Sequence, residues 1–446
     1  MVFSFALPMG VSLAVALPVF LFTWKVKLRF TSAEGIFLVC SAWVTGSLLG
    51  AAPYYLSGYV PSFSNAVFEC VSGISTTGVT IIPDVEILPL SFHLWRGMTH
   101  WLGGMGIVVL TVAMVPLLGV GGFQLLKAET SGPMKEKFTP KVTNTAKILW
   151  LIYCAITVIL FVLFMMGGMN WFDALIHSFS LMASGGFSTK NDSIAYYNSP
   201  FIDYVCIVFM FITGFNYVLI YRLLQGKFRE IINNSEAKAY GLIYLIAAVV
   251  VAFSLFPMVG SIEKTLRYAF FDAASILSTT GLGIANHNLW PPLARFMIFM
   301  LMFVGGCSGS TSGNIKVIRY VILFKQTRNE LKRQLFPSGV FSIRLDNKLG
   351  KKDVVYRVAG FMFLYYMFIL AGTLLVSSSG ADLFDSLNAS LICLGNVGFG
   401  LGALTSGTIF YTAPDYVKWG ASFLMLIGRL EIFTVILLFI PSYWDK

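Results

Sequence analysis

Long apolar runs separated by short polar segments constrain this chain more than any other feature of its sequence. A helix needs roughly 20 apolar residues to cross about 30 Å of hydrocarbon, and these runs approach or exceed that length. They lie near residues 3–23, 33–56, 95–120, 148–168, 200–224, 239–260, 294–323 (interrupted), 357–378 and 416–440. The pattern predicts an all-α membrane protein that crosses the bilayer several times.

The composition excludes a soluble protein. Only 12% of the 446 residues are charged and the mean hydropathy is +0.78, whereas a soluble domain carries about 25% charged residues. Such a chain could not cover a water-facing surface of its own size. The opening run has no charged segment before it and no small-residue cleavage site. We therefore interpret it as a retained extra helix at the N-terminus and not as a signal peptide.

The basic residues are distributed unevenly, and their placement predicts the orientation of the chain. Of 31 Lys and Arg residues, 24 fall in five stretches, which are 25–29, 125–147, 222–238, 316–357 and Lys446. Because cytoplasmic loops are enriched in Lys and Arg, these stretches are predicted to face the cytoplasm. The net charge of +10 thus reflects membrane topology, and it is not gathered on a soluble face that would suit nucleic acid.

Groups that carry enzymatic chemistry are not clustered in the sequence. The six cysteines lie far apart, and no pair has metal or redox spacing. The four histidines lie near the ends of runs and are interpreted as packing residues, and the few carboxylates are assigned to loops or helix caps. We therefore expect a protein that is not an enzyme and holds no organic cofactor, in preference to a membrane enzyme acting on lipid.

Four shorter, half-apolar stretches between the runs end in glycine and align without gaps. A matching residue pair stands 13 and 12 positions before each of Gly78, Gly186, Gly281 and Gly398. With glycine third and an apolar residue fourth, the four ends are Thr76-Thr77-Gly78-Val79, Ser184-Gly185-Gly186-Phe187, Thr279-Thr280-Gly281-Leu282 and Asn396-Val397-Gly398-Phe399. Such self-similarity indicates a repeated unit, here an outer helix, a pore helix, a loop and an inner helix. Four units predict a pore with pseudo-fourfold symmetry.

The predicted pore helices are too short to cross the membrane, which places the loops that follow them within the membrane. A helix of about 12 residues is some 18 Å long, so it must enter the membrane and return. Irregular backbone at that depth survives only where it lines a water-filled cavity or is buried in protein. Rings of main-chain carbonyls can replace the hydration shell of K⁺, and glycine permits the torsion angles that turn carbonyls inward.

The four glycine segments are therefore predicted to form a K⁺ selectivity filter. We expect bound K⁺ to contact Thr77, Gly78, Gly185, Gly186, Thr280, Gly281, Val397 and Gly398. The alternative is that these glycines simply end helices in ordinary loops. That alternative would suit one copy, but it does not explain four copies with matched upstream spacing.

The seventh run is interrupted by small and polar residues, namely Gly305, Gly306, Cys307, Ser308, Gly309, Ser310, Thr311, Ser312 and Gly313. Interior glycine costs a helix about 1 kcal/mol, and Ser and Thr compete for its backbone bonds. The helix is expected to stop there and resume near Lys316, whereas the corresponding runs of the other repeats show no such break. The interruption begins 24 residues after Gly281, one spanning length, which places it beneath the filter.

We interpret residues 305–313, together with Lys316 and Arg429, as a gate. Close helix packing through small residues is the alternative. A phosphate-binding loop is excluded because no lysine directly follows the last glycine.

Arg429 lies inside the last run, where ionisable residues are costly and often functional, and Glu431 follows two residues later. We expect Arg429 to face the pore or to bond the gate, and a buried structural ion pair is the alternative.

Several motifs resemble the Trk/Ktr/HKT superfamily of potassium transporters, and most closely its bacterial TrkH-type subunits. They are Trp101-Leu102-Gly103-Gly104-Met105-Gly106, Ala128-Glu129-Thr130 with Gly132-Pro133, Gly185-Gly186-Phe187-Ser188-Thr189 with Asn191-Asp192-Ser193, Gly309-Ser310-Thr311 with Ile315-Lys316, Gly395-Asn396-Val397-Gly398 and Gly428-Arg429. The chain departs from the family pattern in showing one helix before the first repeat instead of two. Phe399 stands where proline is common, and Asn314 stands where glycine is usual.

The resemblance implies potassium uptake across a bacterial inner membrane, with Arg429 as partner of the gate. It also implies a homodimer that docks a cytosolic, TrkA-like ring of nucleotide-binding subunits. Family members with serine at the first filter glycine favour Na⁺, so Gly78 favours K⁺, while Na⁺ conduction or cation-coupled symport stays open. The predicted units are 1–30 for the extra helix, then 31–125, 126–230, 231–335 (with the gate) and 336–446 for repeats 1 to 4.

Overall fold

The fold was analysed in a computed structural model of the chain, which describes residues 2–23, 31–117, 142–339, 341–346, 348–349, 352–402 and 408–444. The predicted boundary between the first two repeats at 125/126 and the motif at 128–133 lie outside these residues. In the described part, the one element of regular structure that is not helical is an antiparallel hairpin, Arg344–Leu345 with Lys348–Leu349. The predicted all-α class is confirmed.

The described helices follow the predicted order of an extra helix and four repeats. The extra helix is Val2–Thr23, and the outer helices are Ser32–Leu56, Val142–Met166, Ser235–Val259 and Lys352–Ser377. The pore helices are Phe63–Ile74, Trp171–Met182, Ile262–Leu277 and Leu383–Gly395. The inner helices are Leu90–Leu117, Pro200–Thr213 with Tyr217–Leu224, Pro292–Leu301 with Val317–Leu335, and Asp415–Leu430 with Ile432–Leu437. Short helices cover Ser193–Tyr197, Phe228–Asn233, His287–Leu289, Thr408–Thr412 and Pro441–Tyr443.

The length and apolarity of the helices agree with a membrane protein. Five of the described helices are long and apolar enough to cross a bilayer, and the bent pair in the second repeat would count as a sixth. The extra helix exposes most of its apolar side chains, including Phe22 at 86%, and it packs on the first outer helix. Such a surface suits lipid, because hydrocarbon imposes no penalty on exposed apolar atoms.

The repeats close into a ring through their pore helices. Each pore helix packs against the outer helix of its own repeat. The first, second and fourth inner helices pack on the pore helices of the second, third and first repeats, respectively. Phe299 of the third inner helix contacts Phe384 of the fourth pore helix, with ring centroids 5.6 Å apart. Every repeat thus touches the next, and the fourth touches the first.

The expectation of unbroken inner helices outside the third repeat is wrong for the second and fourth. The second inner helix bends by 104° between Thr213 and Tyr217, where the Asn216 side chain caps the lower segment by accepting from two main-chain N–H groups. The fourth breaks at Glu431, whose φ is 71°. The apolar runs continue across both breaks, so hydropathy alone could not reveal them.

Candidate functional site: four glycine loops and the loop beneath them

All four pore helices end in the same way. The residue two positions before each of Gly78, Gly186, Gly281 and Gly398 is left-handed, with φ of 55° at Thr76, 57° at Ser184, 60° at Thr279 and 51° at Asn396. The next N–H then bonds back to the carbonyl five residues earlier, from Thr77 to Ser72, Gly185 to Ser180, Thr280 to Ser275 and Val397 to Ile392, at 2.8–3.1 Å. This is a Schellman ending. Positive φ is uncommon outside glycine, so its recurrence at four equivalent positions shows that the four loops leave their helices along the same backbone path.

These four loop glycines lie so close to neighbouring loops that no side chain would fit. A Cβ built on Gly78 would lie 1.9 Å from the carbonyl oxygen of Gly185 in the second loop. A Cβ on Gly186 would lie 2.2 Å from the carbonyl oxygen of Thr280 in the third loop. Both glycines also have positive φ, at 83° and 89°. Glycine is required at these positions for its conformation and for its small size.

The ring closes through the fourth loop. A Cβ on Gly398 would lie 2.6 Å from the carbonyl oxygen of Thr77 in the first loop, and one on Gly281 would lie 2.7 Å from the Gly398 backbone. The four glycines therefore form a closed ring. At three of the four junctions the neighbouring atom is the carbonyl oxygen directly before one of these glycines.

The junction of the third and fourth loops differs from the other three. Gly281 faces the backbone N, Cα and C of Gly398 and not the preceding carbonyl. Among the described glycines with positive φ are Gly78, Gly186 and Gly281, but not Gly398. Phe399, which stands where proline is common in the family, belongs to this loop. Its ring is buried and packs edge-on against His287, with ring centroids 4.4 Å apart. The fourth loop thus breaks the fourfold pattern.

The interrupted segment of the third inner helix lies in direct contact with the ring. The Thr311 hydroxyl is 2.8 Å from the Ser184 hydroxyl, and the Gly313 N–H donates to the Thr279 hydroxyl at 2.9 Å. Ser184 and Thr279 are the left-handed residues of the second and third loops. Residues 305–313, which we call the central loop, therefore sit against the inner end of the four-glycine ring.

The break in the second inner helix receives the central loop. The Cys307 N–H donates to the Gly214 carbonyl at 2.8 Å, and the Tyr217 N–H donates to the Gly309 carbonyl at 3.1 Å. Backbone groups freed by one broken helix are thus satisfied by the other, as buried polar groups must be. Sequence reasoning missed Gly214 and Asn216 as parts of this site. The available signal was Asn216, a polar residue that follows Gly214-Phe215 within an apolar run.

The two ends of the central loop are bonded to each other. The Lys316 N–H donates to Val304 and the Val317 N–H to Gly306, each at 3.0 Å. Asn314 has a φ of 70°, its amide donates to Met302, and its oxygen accepts from the Tyr365 hydroxyl at 2.8 Å. Asn is among the few residues that tolerate the left-handed region, which explains how it can stand where glycine is usual.

Arg429 reaches the middle of the central loop. One guanidinium nitrogen donates to the Thr311 carbonyl at 2.6 Å, and another lies 3.4 Å from the Gly103 carbonyl. The side chain is only 5% exposed. Glu431 does not pair with it but with Arg319, as expected for residues two apart on the chain. Arg429 therefore places a buried positive charge against the central loop.

A second contact of the central loop was missed in the sequence. Glu236, in the first turn of the third outer helix, is only 6% exposed. Its carboxylate accepts a hydrogen bond of 2.6 Å from the Ser308 N–H. A carboxylate so deeply buried usually has a specific partner. Its position next to a basic, cytoplasmic stretch suggested only a helix cap, so the sequence contained no specific signal for this role.

Comparisons with known proteins agree with this architecture. A family model described as TrkH, cation transport protein, matches residues 9–446. The chain is 36% identical to the Trk system potassium uptake protein TrkH of Halomonas elongata, over 99% of this chain and 92% of that protein. It is 37% identical to the protein of the same name in Escherichia coli, over 95% and 88%. The crystal structure of the potassium transporter TrkH from Vibrio parahaemolyticus matches with a TM-score of 0.83 and 32% identity, covering 94% of this chain and 87% of that one.

The fold and the site define a membrane transport protein built from four pore repeats. The chain belongs to the TrkH family of cation transport proteins. This agrees with the prediction of a transporter that is not an enzyme, and the family named from the sequence motifs is confirmed.

Proposed function

We propose that this protein takes up K⁺ across a bacterial inner membrane through the four-glycine ring. The observation that carries the proposal is the closed contact of Gly78, Gly186, Gly281 and Gly398 with one another's loops. The relatives in Halomonas elongata and Escherichia coli are named as potassium uptake proteins, which supports K⁺ as the ion.

The proposed filter binds K⁺ through main-chain oxygens. A dehydrated cation needs oxygens in place of its water shell, and rings of carbonyls supply them in known filters. The carbonyls assigned to this role belong to Thr77, Gly78, Gly185, Gly186, Thr280, Gly281, Val397 and Gly398. The pore helices end directly before these segments, so the partially negative ends of their dipoles favour a cation on the axis.

We propose that the central loop is the gate and that Arg429 holds it closed. The loop contacts the filter through Thr311 and Gly313 and is fixed from below by Arg429. A positive charge beneath the ring also opposes the passage of a cation. Opening requires the Arg429–Thr311 bond and the Ser184–Thr311 contact to break together.

The proposed partners lie on the cytoplasmic side. The helix Val317–Leu335 continues from the gate into the most basic stretch of the chain, with Lys325, Arg328, Lys332 and Arg333. A cytosolic TrkA-like nucleotide-binding ring docked there could act on the gate through this helix. Assembly as a homodimer is proposed on the family resemblance alone.

Ion flux in proteoliposomes tests the proposed function. We expect the purified protein to conduct K⁺ and Rb⁺ in preference to Na⁺, driven by a membrane potential worth about 2.3 kcal/mol per charge per 100 mV. Equal or greater Na⁺ flux would contradict K⁺ selectivity. The alternative is Na⁺ conduction or cation-coupled symport by the same fold. Dependence of flux on a proton or Na⁺ gradient would identify symport.

A further inference from the structure

A buried ion pair lies behind the first two filter loops, where the sequence predicted no paired charges. Glu69 is in the first pore helix and Arg96 is in the first inner helix, and Nε of Arg96 lies 2.9 Å from Oε1 of Glu69. Their side chains are 0% and 2% exposed. The assignment of carboxylates to loops and caps is therefore wrong for Glu69. Burying two charges is expensive unless further bonds satisfy them, so the remaining contacts show what the pair holds.

Glu69 holds the segment that leaves the first filter loop. Its Oε2 accepts the Ile81 N–H at 2.9 Å, and both carboxylate oxygens lie within 3.1 Å of the Thr80 hydroxyl. Thr80 and Ile81 follow Gly78 by two and three residues. The carboxylate thus fixes the outer end of the first loop from behind.

Arg96 holds the corresponding segment of the second loop. One guanidinium nitrogen donates to the Ser188 carbonyl at 3.0 Å, and its Cζ lies 4.1 Å from the centre of the Phe187 ring. Phe187 and Ser188 directly follow Gly186. His100, one turn further along the helix, stacks on the same ring at 4.1 Å. The ion pair therefore connects the outer ends of two different filter loops.

The other three loops have braces within their own repeats. His177, at the position equivalent to Glu69, bonds the Ser188 hydroxyl at 2.9 Å. The Asp272 carboxylate, also equivalent, lies 2.9 Å from Nε2 of His287. Asn388 of the fourth pore helix donates to the Leu401 carbonyl at 3.1 Å. Glu69–Arg96 differs from these braces because its two members bond main-chain groups of two different loops, whereas His287 reaches the fourth loop only through its ring contact with Phe399 at 4.4 Å.

We propose that Glu69 and Arg96 are positioning residues for ion selectivity, acting as a strut that fixes the spacing of the first and second filter loops. The inference rests on the proposed filter. Discrimination between K⁺ and Na⁺ depends on the number and arrangement of the carbonyls around the ion. Charge-assisted bonds in a buried, fully bonded network rigidify their surroundings. The first junction of the ring, Gly78 with Gly185, is the one that this strut supports.

The test removes both charges together, because a single neutral substitution would leave the other charge buried and uncompensated. The double variant Glu69→Gln/Arg96→Gln keeps polar atoms at both sites. Thr80→Val is a milder second variant that loses only the hydroxyl bond to Glu69. The matched control is Asp203→Asn/Arg267→Gln, which removes an ion pair between the second inner helix and the third pore helix, away from the ring.

Rb⁺ and Na⁺ uptake are compared in proteoliposomes that contain equal amounts of monodisperse protein. We expect the double variant to lower the Rb⁺/Na⁺ ratio by about tenfold, the equivalent of one charge-assisted hydrogen bond, and Thr80→Val to lower it less. The control should keep the parental ratio. A parental ratio in both test variants would overturn the strut, as would an equal loss of ratio in the control.

Gly78→Ser, measured in parallel, separates this proposal from the filter itself. If Gly78→Ser lowers the ratio and the strut variants do not, the filter stands and the strut is wrong. If Gly78→Ser leaves the ratio unchanged, the proposed filter is wrong and the strut with it. If the double variant is not recovered as a monodisperse protein, the ratio measured for Thr80→Val decides between these outcomes.

Discussion

The guanidinium of Arg429 donates a hydrogen bond of 2.6 Å to the main-chain oxygen of Thr311, joining the fourth inner helix to the centre of the central loop. The same threonine touches the second filter loop through its hydroxyl, at 2.8 Å from Ser184. Thr311 is thus held on one side by the proposed filter and on the other by the buried guanidinium of Arg429. In the proposed mechanism this contact keeps the pore closed.

Replacing Arg429 with glutamine is expected to increase flux through the protein in the absence of any partner. The variant loses a charge-assisted hydrogen bond that favours the closed loop, and it removes the positive charge beneath the ring, so the increase should be about tenfold or more. Rb⁺ uptake by proteoliposomes measures it. Arg295→Gln, at an exposed position, is the control, and an Arg429→Gln variant with parental or lower flux would contradict the role of Arg429.

Deleting residues 306–312 is expected to raise ungated flux. The two ends of the central loop already lie together, because the Lys316 N–H donates to the Val304 carbonyl at 3.0 Å. The flanking helices can therefore keep their positions. Rb⁺ flux is measured together with size-exclusion elution and thermal melting. Reduced flux from an intact, monodisperse deletion variant would show that the central loop is not a gate.

Replacing Glu236 with alanine is expected to raise basal flux by a smaller factor than Arg429→Gln. The variant loses the bond from the Ser308 N–H to the Glu236 carboxylate and so loosens only the first half of the central loop. A hydrogen bond to a charged group contributes about 1.5–3 kcal/mol. Single-channel or Rb⁺ flux assays measure the change. Glu34→Ala is the matched control. Glu34 also lies in the first turn of an outer helix, but it bonds Thr31 in a capping box and not the central loop. Equal effects of the two substitutions would indicate loss of a helix cap and not release of the gate.

Replacing Gly78 with serine is expected to reduce discrimination between K⁺ and Na⁺. The new Cβ would meet the Gly185 carbonyl at 1.9 Å, so the first two loops must separate and their carbonyls must move. Gly58→Ser is a close control, because Gly58 also has positive φ, at 78°, but has open space around its Cβ position. The ratio of Rb⁺ to Na⁺ uptake should fall in the first variant and not in the second.

Much of this architecture could be predicted from the sequence because it depends on spacing. Four glycines with matched upstream residues specify four copies of one loop, and the small residues between Val304 and Asn314 specify a break in a helix. Hydropathy does not predict the break at Gly214, since Phe215 and Tyr217 keep the run apolar, and the polar Asn216 was the one local signal that could have indicated it. Gly398 lacks the positive φ of Gly78, Gly186 and Gly281, and the aligned glycine spacing did not distinguish it from them.

The central claim is that main-chain oxygens of four loops surround one dehydrated cation. Anomalous diffraction from crystals of this protein grown with Rb⁺ tests it most directly. The account predicts a Rb⁺ peak on the axis enclosed by Gly78, Gly186, Gly281 and Gly398, at bonding distance from their carbonyls. A protein that transports Rb⁺ but binds it only outside this ring would contradict the account.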